Sequence, residues 1–261
     1  MPVSHPRILG LRVRCRRCSG CCNHRQLEWV NRFKLESYNK KPPYLLTLTY
    51  SNEYLPKDLQ EAKNNYKNFI KKLRHKFKNI RYFHAIEYGS KKGRIHHHAL
   101  IWCEDIQKVG LFNQWKIIKE TWNKGRVESS PVRSIAGLRY VSKYIIKNYD
   151  PTYRTYMNHL DMTFNEQTKD GRLFTWSNRP ALGTSGIKQY EKHLIQSLQN
   201  GHIPRNRFNT VMFGKVTKMY IPNGTYKMLL KKHCSHSKDL KIKQEYAKWL
   251  EKISKKILPK A

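Results

Sequence analysis

Three consecutive histidines, His96 to His98, are the side chains in this sequence best suited to hold a metal ion. They follow a polar segment with two glycines, and apolar and aromatic runs flank that segment, so the sequence predicts a β-hairpin over Phe83–Trp102. Because side chains alternate along a strand, His96 and His98 share one face and His97 lies on the other. Glu87 then falls opposite His96 or His98, on their face.

Glu87, His96 and His98 together have the composition of a metal site. Two imidazoles and one carboxylate bind a divalent ion such as Mg²⁺ or Mn²⁺ and leave coordination positions open, as a site that handles phosphate oxygens requires. We therefore predict that these three residues are metal ligands. The alternative is a polar patch without a ligand, because a histidine on a strand is often a core or surface residue.

Two tyrosines lie one helical turn apart further along the chain. The residues around Tyr140 and Tyr144 recur at the helical period, and one stripe, mostly apolar, consists of Ile135, Leu138, Val141, Ser142 and Ile145. Both tyrosines lie on a different face, so we predict that their phenol groups point away from the stripe. Residues four apart are neighbours on a helix, and the two phenol oxygens can therefore reach one site. The alternative is that these tyrosines only pack, as tyrosines in helices usually do.

The charge of the chain indicates a polyanionic partner. It has 52 Lys and Arg against 18 Asp and Glu, a formal net charge of +34 at pH 7. The predicted helix at 62–78 has a lysine-rich face that we interpret as a track for phosphate groups, with a solvated surface as the alternative. Sixteen tyrosines offer rings on which bases can stack. No stretch is apolar enough for a membrane span or a signal core, which predicts a soluble, intracellular protein.

Four of the six cysteines lie close together near the start of the sequence. In a reducing compartment such a cluster indicates metal binding or reduced thiols rather than disulfides. Cys15, Cys18 and Cys21, with Cys22 or His24 as the fourth ligand, could hold a structural Zn²⁺. The alternative is a set of free thiols in a basic segment.

The order of the predicted elements favours an α+β fold, with a central antiparallel sheet flanked by helices and a basic, partly helical C-terminal extension. We predict a helix, a strand, a helix, the hairpin, a helix, a strand and the tyrosine helix, in that order, at 26–38, 44–50, 62–78, 83–102, 111–122, 126–132 and 135–147. Later signals are weaker and indicate some strands and helices near 187–199 and 246–257. We predict a Cys-rich basic segment with a helix, a core and a C-terminal region, at 1–40, 41–150 and 151–261.

The metal trio and the tyrosine pair together resemble the HUH endonucleases, a superfamily that includes rolling-circle replication initiators. The similarity is closest to the replication initiators of microviruses, in particular their gokushovirus branch. Three motifs of that family resemble Pro43–Pro56, Glu87–Ile101 and Tyr140–Lys147. Two further segments, Cys15–Cys21 and Ser177–Gly183, are also similar to stretches of these phage proteins.

The sequence departs from the family pattern at two positions. The residue between the metal histidines is usually hydrophobic in the family and here is His97. The position that is often proline is Ile95. His97 leaves the register of the ligands slightly ambiguous, although only His96 and His98 share a strand face.

The resemblance implies a nuclease that starts rolling-circle replication at a single-stranded phage origin. Tyr140 and Tyr144 would attack DNA phosphates to give a 5′-phosphotyrosyl intermediate and a free 3′-OH, Lys143 would assist them, and ends would be rejoined after each round. The implied partners are single-stranded origin DNA and the helicase and replication machinery of a bacterial host, in whose cytoplasm the protein would act. The residues expected to contact DNA are Lys67, Lys71, Lys72, Arg74, Arg94 and Lys147.

Three alternatives remain open from the sequence, and one of them is an initiator of plasmid rather than phage replication. A relaxase or transposase of the same superfamily would share the chemistry and differ in substrate. A non-catalytic basic DNA-binding or packaging protein would need only the charge. The role of Thr47 and Thr49 is also open, because their hydroxyls share a strand face on which they could contact a DNA backbone or pair across strands.

We expect the binding of single-stranded DNA to weaken steeply as the salt concentration rises, because neutralising phosphates releases counterions. The logarithm of the association constant should fall by roughly 0.7 per log unit of salt for each phosphate neutralised. Fluorescence anisotropy of a labelled oligonucleotide over a series of NaCl concentrations measures this slope. A flat response would exclude an electrostatic basis for binding.

Overall fold

The computed structural model of the chain describes residues 2–5, 8–14, 18–89, 93–147, 173–234 and 240–257. The chain divides into two compact units, Met1–Leu182 and Gly183–Ala261. The predicted division into three parts stays a prediction. No helix within the described ranges is both long and apolar enough to cross a membrane.

A five-stranded antiparallel sheet forms the centre of the first unit, as predicted. The strands of this unit are β1 (Pro2–His5), β2 (Ile8–Arg14), β3 (Tyr44–Leu48), β4 (Arg81–Tyr88), β5 (Ile95–Trp102), β6 (Val127–Pro131) and β7 (Phe174–Trp176). The order in the sheet is β6-β3-β5-β4-β7, and β1 and β2 form a separate hairpin. The predicted hairpin β4–β5 therefore occupies the middle of the sheet, where neighbouring strands cover both of its edges.

Helices cover both faces of the sheet. The helices described in the first unit are α1 (Ser19–Glu36), α2 (Leu59–Lys76), α3 (Glu104–Lys108), α4 (Leu111–Trp122) and α5 (Ile135–Lys147). Their predicted positions are confirmed, except that α1 and α2 begin earlier than predicted and the short α3 was not predicted. The α+β class with helices flanking an antiparallel sheet is therefore correct.

The alternation of side chains along β5 decides which helix packs on which face. On one face, the rings of Tyr66 from α2 and Trp122 from α4 lie 5.6 Å and 5.3 Å from the ring of His97. On the other face, Phe33 of α1 packs against Trp102, with ring centroids 6.0 Å apart, and α5 lies beside α1. The two faces of the sheet therefore have separate environments.

A buried polar network lies under α2. The Nε2 atom of His84 is 2.8 Å from Nδ1 of His97, and Nε2 of His97 is 2.8 Å from the hydroxyl of Tyr50. The ring of Tyr66 stacks on that of His84 at 3.5 Å. Burial lowers the pKa of His97 to about 3 and the pKa of His84 well below 6.5, and nearby histidines add to both shifts. Both imidazoles are therefore neutral in the folded protein at neutral pH.

The second unit has its own helices and a two-stranded sheet. Its described elements are α6 (Thr184–Gln199), β8 (Arg207–Met212), β9 (Lys215–Tyr220), α7 (Asn223–Cys234) and α8 (Leu240–Ile257). The buried Tyr190 and Tyr226 donate hydrogen bonds to the carbonyls of Arg205 and Pro204, at 2.7 Å and 2.6 Å. The two helices predicted here are confirmed, although both begin earlier than predicted.

We expect the free energy of unfolding to fall as the pH falls, because His84 and His97 accept protons in the unfolded chain before they do so in the folded one. Their contribution is fully present above their ordinary pKa of 6.5 and is lost as the pH falls from there toward 3. The slope is at most about 1.4 kcal/mol per pH unit for each histidine. Urea unfolding at pH 7 and at lower pH values measures it.

The variant His97→Gln removes one of these two groups and should flatten the dependence on pH. The matched control is His75→Gln, because His75 is exposed on α2. An unchanged slope in His97→Gln, or an equal change in the control, would contradict the assignment of acid sensitivity to the buried pair.

Candidate metal and nucleophile site

The hairpin brings Glu87, His96 and His98 together, as the alternation of side chains predicted. Glu87 and His96 are directly opposite in the β4–β5 register. His98 lies diagonally across from Glu87, and its Nε2 atom is 2.8 Å from Oε2 of the carboxylate. One ligand atom from each of the three residues lies within 4.8 Å of the others. This donor set fits a divalent metal ion, while the assignment of the three residues as ligands stays a prediction.

Thr47 orients the imidazole of His98. The two residues are direct partners in the β3–β5 register, and Oγ1 of Thr47 is 3.3 Å from Nδ1 of His98. Because Nδ1 is occupied in this way, Nε2 faces Glu87 and is available to a metal. Thr49 instead donates to the carbonyl of Arg126 at 3.4 Å. The hydroxyl of Thr47 thus pairs across strands, which is one of the two roles that the sequence left open.

Gly89, directly after β4, lies close to the ring of His96. A Cβ atom at Gly89 would lie 3.1 Å from Cε1 of His96, so the absence of a side chain at Gly89 makes room for the ring. Burial lowers the pKa of His96, and the neighbouring His98 adds to this effect. Arg94, predicted to contact DNA, donates a hydrogen bond to the side chain of Asn52 at the same end of the sheet.

The tyrosine helix α5 lies against the metal trio through Tyr144. The ring of Tyr144 stacks on the imidazole of His98, with centroids 4.0 Å apart and ring planes at 7°. Its hydroxyl donates to the hydroxyl of Tyr140 at 2.9 Å. The sequence placed both phenol groups away from the apolar stripe of the helix; Tyr140 is 43% exposed there, whereas Tyr144 is 2% exposed and packs on His98.

The electrostatic environment of Tyr144 keeps its phenol neutral. Burial raises the pKa of Tyr144 well above its ordinary value of 10.0, and the hydrogen bond with Tyr140 and the negative charge of Glu87 act in the same direction. The ammonium group of Lys143 lies 3.8 Å from the ring centroid of Tyr140 and 5.2 Å from that of Tyr144. The side chain of Lys147 lies outside the described residues.

The lysine-rich face of α2 lies on the other side of the sheet from the trio. α2 packs on the face that carries His97, whereas α5 packs on the face that carries His98. Lys67, Lys71 and Lys72 are exposed, as predicted. The structure does not bring these three residues to the metal trio, so their role as DNA contacts stays a prediction about a separate surface.

The N-terminal cysteines lie at the start of α1. Cys18 is the residue before the first turn of the helix, and Cys21 and Cys22 lie in that turn. His24 is 3.0 Å from the carboxylate of Glu28. Cys15 lies outside the described residues, so the predicted structural zinc site stays a prediction.

We expect Thr47→Val to weaken the binding of Mn²⁺ by about tenfold or more, because His98 loses the partner that orients it. Valine keeps the volume of threonine and removes only its hydroxyl. Isothermal titration with Mn²⁺ measures the affinity. Thr49→Val is the matched control and should bind Mn²⁺ like the parent, whereas His98→Ala should lose the site. Equal affinities in Thr47→Val and the parent would show that this hydroxyl does not support the ligand.

The sequence is similar to known replication proteins. Residues 43–149 match the model of the family described as replication-associated protein ORF2/G2P. The chain is 33% identical over 167 residues to "Replication-associated protein ORF2" of Spiroplasma virus 4, an alignment that covers 57% of this chain and 49% of that protein. It is 26% identical over 153 residues to "Replication-associated protein ORF4" of Chlamydia phage 1, covering 52% and 38%.

These alignments span half or less of the length of the two relatives. No solved structure gives a significant match to the chain. The segment 43–149 contains β3, the metal trio and both tyrosines of α5. Residues 43–149 are thus similar to the replication-associated protein ORF2/G2P family, and the chain is similar to the replication-associated proteins of two microviruses.

Proposed function

We propose that this protein initiates rolling-circle replication of a small single-stranded DNA phage by nicking its origin with a tyrosine nucleophile. The observation that carries the proposal is the contact between the two halves of the site. The ring of Tyr144 stacks on His98 at 4.0 Å, so a nucleophile lies directly beside the residues suited to hold a metal. The family match and the microvirus relatives support a role in replication.

The trio has the chemistry that a phosphoryl-transfer site needs. A divalent ion such as Mg²⁺ or Mn²⁺, held by Glu87, His96 and His98, would polarise the scissile phosphate and stabilise charge on the leaving oxygen. The half-buried carboxylate and the orientation of His98 by Thr47 prepare this donor set in advance. The ring of Tyr144 covers one face of the His98 imidazole.

The proposed reaction is a transesterification. A phenol oxygen attacks the phosphorus, the bond between phosphorus and the 3′ oxygen breaks, and the phenol proton is lost as the 3′ oxygen gains one. The product is a 5′-phosphotyrosyl bond, and its energy allows the same site to rejoin DNA ends later. Because burial raises the pKa of Tyr144, attack by this residue would need a group that accepts the phenol proton.

Lys143 is placed to stabilise the charge that develops in this step. Its ammonium group lies over the ring of Tyr140 and near that of Tyr144. A positive charge there favours a phenolate and offsets negative charge on the pentacoordinate phosphorus. We therefore assign Lys143 to catalysis by electrostatic stabilisation.

The two hydroxyls support a reaction with two cycles. The hydroxyls of Tyr140 and Tyr144 are hydrogen-bonded to each other, so both oxygens lie close to one point beside the trio. One tyrosine can hold the first 5′ end while the other cleaves the regenerated origin. The exposed cations of α2 would guide DNA over a different part of the same unit, and Arg94 would contact it near the turn of the hairpin.

We expect that at least one of Tyr140→Phe and Tyr144→Phe still forms one covalent adduct, because either hydroxyl can approach the same phosphate, whereas the double variant forms none. Phenylalanine keeps the ring and removes only the nucleophile. Incubation with labelled single-stranded origin DNA and Mn²⁺, followed by denaturing electrophoresis, detects the adduct. Mass spectrometry of the adducted peptide then identifies the residue, and a linkage outside Tyr140 and Tyr144 would contradict the assignment.

Variants of the trio and of Lys143 complete this experiment. His96→Ala and His98→Ala should abolish the adduct and leave DNA affinity largely intact, because phosphate contacts elsewhere supply most of it. Lys143→Met should slow adduct formation more than it weakens binding. A non-catalytic binding protein would instead show no adduct in any variant, including the parent.

A further inference from the structure

A basic cavity lies at the opposite end of the central sheet from the metal trio. Its volume is about 760 Å³, which is in the range of pockets that enclose small ligands. Arg81, at the start of β4, and Trp102, at the end of β5, line it. Glu87 is six residues further along β4 than Arg81, which corresponds to about 20 Å at the rise of a strand. The cavity is thus separate from the proposed catalytic site.

The lining of this cavity carries a large excess of positive charge. Two acids, Glu104 and Asp105, oppose the cations, which are Lys40, Lys41, Arg74, Lys78, Arg81 and Arg179. The buried carboxylate of Glu36 binds Lys40 at 2.7 Å and Arg81 at 3.0 Å. Lys41, Lys78 and Arg179 are exposed, and none of them forms a salt bridge within the described part of the chain. These three charges are available to phosphate groups.

Arg81 builds one wall of the cavity and is not itself available to a ligand. Its guanidinium donates to both oxygens of Glu36 and to the carbonyls of Pro180 and Ala181, at 2.6 Å and 3.0 Å. These bonds fix the segment that contains Arg179 against the end of the sheet. The exposed guanidinium of Arg179 is therefore held at the rim by a rigid backbone.

Aromatic rings complete the lining. Trp176 is half-buried, and the rings of Trp29 and Phe174 support it at 5.0 Å and 5.6 Å. Tyr82 is also half-buried, and the guanidinium of Arg74 lies 5.6 Å from its ring centroid. Supported rings beside unpaired cations are the combination that binds single-stranded nucleic acids, because bases stack on the rings while lysine and arginine bind the phosphates.

We propose that this cavity is a second binding site for single-stranded DNA, separate from the cleavage site and independent of metal. An acidic protein could bind the cations, but its carboxylate side chains do not stack on aromatic rings as bases do. The lining therefore favours a nucleic acid. The choice of DNA rather than RNA rests on the proposed function. A strand held here would be anchored about 20 Å from the trio, which would keep it on the protein between two cleavages.

The test measures the anisotropy of a labelled oligothymidine without an origin sequence, in EDTA, so that neither metal binding nor cleavage contributes. The triple variant Lys41→Ala, Lys78→Ala, Arg179→Ala should lower the affinity about tenfold more than a control with the same change of net charge. That control is Lys188→Ala, Lys215→Ala, Lys227→Ala, three exposed lysines of the second unit. Equal losses in the two triple variants would overturn the proposal.

A second variant tests the role of the ring. Trp176→Leu should weaken binding of oligothymidine by about fivefold or more and leave binding of an abasic strand of the same length unchanged, because only bases can stack. Thermal unfolding checks that the variants are folded. If Trp176→Leu does not fold, the triple variant still tests the proposal, because it changes only exposed side chains. Competition by polyglutamate as strong as that by oligothymidine would assign the cavity to acidic proteins instead. Failure of nicking in the parent would not affect these measurements.

Discussion

The imidazole of His98 is held on three sides, and the arrangement of the candidate site depends on it. Thr47 contacts Nδ1, Glu87 contacts Nε2, and the ring of Tyr144 lies flat against the imidazole. These partners belong to β3, β4 and α5. One side chain in the central strand therefore fixes the position of the tyrosine pair relative to the candidate metal ligands, and each partner restricts the rotamer of the imidazole.

The residue next to His98 makes this arrangement possible. His97 points to the opposite face, where it bonds to His84 and Tyr50 in the core under α2. A shift of β5 by one residue would place His97 at the metal site and bury His96 and His98 among apolar side chains. The hydrogen bonds of His97 thus help to specify the register, and they explain how a polar side chain can occupy this buried position of β5.

Much of the fold and the position of the trio could be predicted from the sequence, because a hairpin with alternating side chains depends on local pattern alone. The burial of Tyr144 could not be predicted. The helical period shows which residues share a face of α5, but it does not show which of those residues the sheet covers. The sequence also could not predict on which face of the sheet α2 packs. The contact of Thr47 with His98 joins residues that are distant in sequence. The sequence placed the hydroxyl of Thr47 on one face of a predicted strand, but it did not show which residue of another strand lies opposite.

The 2.9 Å between the two phenol oxygens limits how the pair can be used. A phosphoryl group on either oxygen would occupy the space in which the other hydroxyl now lies. Tyr144 packs against His98 and is 2% exposed, whereas Tyr140 is 43% exposed, so Tyr140 has more room to rotate than Tyr144. Steric exclusion would then keep two DNA ends apart on one helical turn. A rotation of the Tyr140 side chain would be enough for this, without a change in the backbone.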